Sequence, residues 1–136
     1  MTAGLQSLER LVGRWSIEGE AQGQTQWRWA EGKRFLFQDF DITQGGRRHT
    51  GLEVIGHLQP LGESPSSEIW SRAYDFTSGL TLDYVYEMEG DQLTIWFRRK
   101  GSDNRMRGRF SPDGTRYEAA WEWPGGGYRV RGTRLP

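Results

Sequence analysis

The chain contains no cysteine, which excludes disulfide scaffolds, thiol nucleophiles and zinc ribbons. It has only two histidines, His49 and His57, too few for a His-based metal cluster. It also lacks a net charge: 18 Lys+Arg balance 18 Asp+Glu, so the molecule as a whole is not a polycation built to seek nucleic acid. No long apolar run occurs near the N-terminus, where Glu9 and Arg10 interrupt the first apolar residues. Neither a signal peptide nor a membrane span is therefore expected, and the cytoplasm is the default location. No Ser-His-Asp arrangement, phosphate-binding loop or dinucleotide fingerprint is present, so the commoner enzyme classes have no support. Repeats, heptads and low-complexity tracts are absent as well.

What the chain does have is aromatic side chains. Seven Trp, five Tyr and six Phe make 13% of a sequence that is only 35% hydrophobic, a content of large rings unlike that of a disordered chain. With 136 residues there is room for one ordinary core, so residues 1–136 read as a single domain.

Leu5, Leu8, Leu11 and Val12 recur at helical spacing and predict one short amphipathic helix over 4–12. Beyond it, turn signals built on Gly, Asp, Ser and Pro recur about every ten residues. The stretches between them are rich in aromatic and β-branched residues. They predict strands over 13–21, 25–30, 34–43, 49–58, 68–77, 80–88, 92–99, 105–111, 116–123 and 128–134. About ten consecutive strands joined by hairpins curl and close, giving an all-β, antiparallel up-and-down barrel with the helix across one end. A two-sheet sandwich is the alternative. The widest connection, 59–67, reads as a lid or as a long turn.

A helix followed by Gly13-Arg14-Trp15 at the start of the first strand, then a meander of about ten strands, resembles the calycin barrels: lipocalins, fatty-acid-binding proteins and bacterial lipocalin-like relatives. The resemblance implies that Trp15 closes the barrel base and that a basic residue of the last strand, Arg129, Arg131 or Arg134, lies over it. The haem-binding nitrobindin-like branch carries glycines after the Trp and a distal-strand His. Here Ser16-Ile17-Glu18 follows Trp15 and no His lies beyond His57, which argues against haem, and no cofactor is expected.

In a closed barrel, strand alternation decides which side chains enter the interior. Over 68–77 the more aromatic face carries Trp70, Arg72, Tyr74 and Phe76. If that face points inward, Arg72 is a buried guanidinium that needs an anionic mate, and with Tyr74, Tyr84 or Tyr86 it would hold a carboxylate or carbonyl head group. The competing reading is an exposed Arg72 stacked on a surface Trp70. Over 80–88 the alternation puts Tyr84 and Tyr86 inside, where each hydroxyl needs a partner. Trp27 and Trp29 share a face, as do Trp121, Trp123 and Tyr117, and such rings either fill a barrel or line a cavity.

Over 34–43 two faces compete. One holds Phe35, Phe37, Asp39 and Asp41; the other holds Leu36, Gln38, Phe40 and Ile42. Were the first inside, Asp39 would be the mate of Arg72 or a general base. His49, Glu53 and His57 share one face of one strand, but neighbours four residues apart are about 13 Å from one another, too far to share a metal. Residues 96–136 carry ten basic and four acidic side chains, so one wall of the barrel is basic; it reads as cross-strand ion pairing or as a homodimer contact.

The expected function is binding of a small apolar or aromatic ligand with one polar or anionic end. The ligand-binding set would be Arg72, Tyr74, Tyr84, Tyr86, Asp39, Trp27, Trp29, Trp70 and Trp121. The alternative is a cofactor-independent isomerase, cyclase or dehydratase in which Asp39 or a Tyr moves a proton. A barrel with a filled, purely structural core is the third possibility.

Overall fold

A computed structural model describes residues 4–136. Ten strands form one closed antiparallel barrel: β1 (Gly13–Gly19), β2 (Ala21–Trp29), β3 (Leu36–Gln44), β4 (Arg47–His57), β5 (Ile69–Asp75), β6 (Thr81–Glu89), β7 (Gln92–Phe97), β8 (Arg105–Phe110), β9 (Arg116–Trp123) and β10 (Gly126–Arg134). Each strand pairs with its neighbours in sequence, and β1 pairs with β10 from Trp15–Arg134 to Gly19–Val130, closing the wall. Closure leaves no long unpaired edge. Among the described residues no helix is long and apolar enough to cross a membrane.

The N-terminal segment is helical where expected, but it winds as a 3-10 helix over Leu5–Leu11. At three residues per turn, Leu5, Leu8 and Leu11 stack on one side, and all three are buried against the barrel end. Strand β2 begins at Ala21, earlier than its aromatic residues suggest, because Ala21, Gly23 and Thr25 continue the inward alternation as small side chains. The 59–67 connection sits at the helix end and is tied back on itself. Ser66 N–H donates to the Leu58 carbonyl at 2.7 Å and Leu58 N–H to Ser66 Oγ at 3.0 Å. It is a long turn on the side away from the cavity mouth described below.

The helix end is solid. Trp15 is fully buried, its indole N–H donates to the Leu11 carbonyl at 2.8 Å, and Tyr117 and Phe110 pack around it at 5.1 and 6.0 Å. Of the three candidate basic residues, Arg134 covers Trp15, its guanidinium carbon 4.4 Å from the ring centroid. The same guanidinium donates to the Val12 carbonyl at 2.5 Å and the Arg10 carbonyl at 2.6 Å, binding the last strand to the end of the helix. Opposite, His57 Nε2 accepts the Leu5 N–H at 3.2 Å, which makes Nδ1 the protonated nitrogen that donates to the Glu68 carbonyl at 3.1 Å.

The outer wall of the basic segment is held by cross-strand pairs: Arg107 with Glu122 at 3.0 Å, Arg109 with Asp91 at 3.1 Å and Arg131 with Glu18 at 3.8 Å.

Candidate functional site

The half of the barrel away from the helix is hollow. A cavity of about 610 Å³ runs from a floor at Trp27, Glu53, Tyr86 and Met106 to a rim at Asp75, Phe97, Asn104, Trp123 and Tyr128. Its volume falls within the range of small-molecule sites. Small inward residues make the space: Ala73 on β5 and Ala119 on β9 stand where larger side chains would fill it. Gly132 does related work below, since a Cβ there would run into the Tyr117 ring that packs against β10.

Most of the wall is aromatic. Tyr84 stands 5.8 Å from both Phe97 and Trp121, Trp123 is 6.0 Å from Tyr128 at the rim, and Trp27 meets Tyr86 edge-on at 6.4 Å near the floor. Phe40 completes the β3 side of the lining.

The polar centre is Glu53, only 3% exposed. Three neutral donors from three other strands converge on its carboxyl. Gln38 Nε2 on β3 donates to Oε1 at 2.5 Å, and Ser71 Oγ on β5 donates to Oε2 at 2.6 Å. The Tyr86 hydroxyl on β6 lies 2.8 Å from each oxygen. Burial pushes the Glu53 carboxyl above the usual carboxylate range, and the hydrogen bonds from Ser71, Tyr86 and Gln38 only partly offset it. Burial likewise raises the Tyr86 and Tyr84 phenols, with the Glu53 charge adding to the effect, so both stay protonated donors.

A second carboxyl sits at the rim. Asp75 Oδ1 accepts the N–H groups of Thr77 and Ser78 at 2.9 and 3.1 Å, and Oδ2 lies 2.7 Å from His49 Nδ1. Burial opposes its ionisation, but the Ser78 amide, the His49 ring and the Thr77 amide prevail and hold it below the usual range. Among the described residues that line the cavity there is no Lys or Arg.

Of the residues singled out in the sequence, Trp27, Tyr84, Tyr86 and Trp121 line this cavity. Trp29 points inward from β2 but lies at the helix end, where its indole N–H donates to the Glu9 carboxylate. The other four require correction, because β3 and β5 present the opposite faces to the interior. On β5 the inward set is Ile69, Ser71, Ala73 and Asp75, so Trp70, Arg72 and Tyr74 lie on the outer wall. Arg72 is exposed, as the competing reading has it, and forms a two-pronged pair with Asp83 of β6, at 2.7 and 3.1 Å. On β3 the inward set is Leu36, Gln38, Phe40 and Ile42. Asp39 faces outward and pairs with Arg28 of β2 at 2.9 Å, not with Arg72. The physical reason is common to both strands. Each charged outer residue finds its opposite on the adjacent strand in water, whereas the inner faces supply the donors that Glu53 requires.

Sequence reasoning missed Glu53 as the centre of a site. Its one signal is its place between Gly51 and Ile55 on the inward face of a strand, a position where a carboxylate is costly without partners. His49 and His57 share that face, but they work at opposite ends of the barrel, on Asp75 and on Leu5.

Comparison with known protein families returned no matching family model, and comparison with curated proteins returned no match either.

Proposed function

We propose that the barrel binds a small, largely apolar or aromatic molecule whose polar end reaches the Glu53 cluster. One observation carries the reading: an aromatic-walled cavity of about 610 Å³ ends on a buried carboxyl held by Gln38, Ser71 and Tyr86. A core meant only for stability would gain by filling that space and by replacing the acid with an apolar side chain. The helix-capped base, with Gly13-Arg14-Trp15 under Arg134, supports reading the chain as a calycin-like binding barrel. The polar end of the ligand is read as a donor and not as an anion, since among the described residues the charged side chains on the lining are Glu53 and Asp75.

The test is displacement fluorescence with N-phenyl-1-naphthylamine, an uncharged apolar probe. The wild type should bind it, and Ala73→Phe, which fills the cavity from β5, should weaken binding by at least about tenfold, the equivalent of about 1.4 kcal/mol. Failure of the wild type to bind the probe, or equal binding by the filled variant, would refute the proposal. Native mass spectrometry of protein from its own host, with organic extraction, would then name the natural ligand's class.

A second reading is favoured by one specific feature, the raised pKa of a buried carboxyl beside a phenol. Glu53 with Tyr86 would move a proton within a bound substrate, in the role the sequence assigns to Asp39, in a cofactor-independent isomerase, cyclase or dehydratase. Deuterium uptake from heavy water into a bound molecule, lost in Glu53→Gln, would favour this reading over simple binding.

A further inference from the structure

We infer that the ligand class of this cavity is aryl-alkyl amines, with the ligand's alkylammonium seated on Glu53 and its ring among Tyr84, Trp121 and Trp27. This rests on the cavity-binding reading above and adds the sign of charge that the site selects.

An ionised carboxylate offers about four lone-pair positions. Gln38 and Ser71 each fill one, and Tyr86 has a single hydroxyl proton to share between two oxygens that are both 2.8 Å away. One acceptor position on Glu53 is left open, and Glu53 lines the cavity. All three partners are neutral dipoles, so they supply hydrogen bonds without supplying a counter-ion, and a buried carboxylate gains most from a cation.

The rim carboxylate is already provided for. Asp75 likewise accepts three hydrogen bonds, two amides on one oxygen and His49 on the other, so an open position does not by itself separate the two acids; Glu53 differs in lying at the buried floor among the rings, with no partner side chain able to carry a positive charge. A cation entering the barrel passes Asp75 first, which favours its approach. The faces of Trp and Tyr attract cations, most strongly when water is excluded, and Trp27, Tyr84, Tyr86 and Trp121 line the same cavity as Glu53. An anion would meet two carboxylates and, among the described lining residues, no Lys or Arg. The geometry therefore discriminates by charge as well as by shape.

The experiment is isothermal titration of the wild-type protein with three ligands that share an indole ring and a two-carbon side chain: tryptamine (cation), indole-3-acetamide (neutral) and indole-3-acetate (anion). Tryptamine should bind at least about tenfold more tightly than the amide, and the acetate should bind most weakly. In Glu53→Gln the preference for tryptamine should collapse: tryptamine should lose about thirtyfold or more and the amide clearly less, so that the two bind within about threefold of each other. The wild-type ranking needs no variant, so it decides the matter even if the substitution impairs folding. Amide binding equal to or tighter than tryptamine, an acetate preference, or no binding of tryptamine by protein that does bind N-phenyl-1-naphthylamine would each overturn the amine inference and leave the cavity proposal standing. Loss of the apolar probe itself would instead overturn the cavity proposal.

Discussion

Replacing Glu53 by Gln keeps the shape of the side chain and removes its titration, so the stability difference between variant and wild type isolates one buried carboxyl. Burial raises the folded-state pKa of Glu53 above the ordinary value of 4.5. An acid raised in this way contributes stability that is fully present below the unfolded pKa and is lost as pH rises through the folded pKa. Between those two limits the unfolded chain releases a proton that the folded chain keeps, and the wild type loses about 1.4 kcal/mol per pH unit relative to the uncharged Glu53→Gln variant. Above the folded pKa the difference levels off. For a domain of this size each kcal/mol moves Tm by about 4 °C, so the variant's Tm should rise relative to wild type by about 5 °C per pH unit across the titrating range. Thermal denaturation in paired buffers from about pH 4.5 to about pH 8.5 follows the group from its unfolded pKa upward. Asp41, Asp75 and Asp83 are held below the usual range and lose their contributions only at lower pH, so they cancel from the comparison. A difference that stays constant over the whole interval, or one that shrinks as pH rises, would refute the account of Glu53 as a carboxyl whose charge the fold disfavours.

The base of the barrel offers a second check. Arg134→Met should lose the contacts to the Arg10, Val12 and Gly114 carbonyls and the stacking on Trp15, lowering stability by about 3 kcal/mol, seen as a lower urea midpoint at unchanged slope. Gly132→Ala places a methyl against the Tyr117 ring and should cost about 1 to 3 kcal/mol in the same assay. On the outer wall, Arg72→Leu and Asp39→Asn each break an exposed pair and should leave both probe binding and the tryptamine ranking unchanged; a loss of binding in either would place the site on the outer wall.

Much of the fold was legible in the residues because its determinants are local. Turn signals spaced about ten residues apart and the alternation of Leu82, Tyr84, Tyr86 and Met88 depend only on neighbours along the chain, and ten strands formed as they indicated, except that the first turn falls at Glu20 and not at 22–24. Leu5, Leu8 and Leu11 marked the buried side of the N-terminal turn in the same way, and the resemblance carried by Gly13-Arg14-Trp15 marked the closed end, while only the structure chose Arg134 over Arg129 and Arg131 as the residue that covers Trp15. Alternation sorts a strand into two faces but does not say which is inside when both carry apolar side chains. On β5 the more aromatic face, with Trp70 and Tyr74, turned outward. That choice was made across strands, where Arg72 meets Asp83 and Ser71 meets Glu53, residues 11 and 18 positions away along the chain. The site was hidden for the same reason. Gln38, Glu53, Ser71 and Tyr86 are ordinary one at a time, and only the register of four neighbouring strands, β3 to β6, brings them to one point inside an aromatic wall. Local periodicity was sufficient for the barrel; the identity of its interior required the register of one strand against the next.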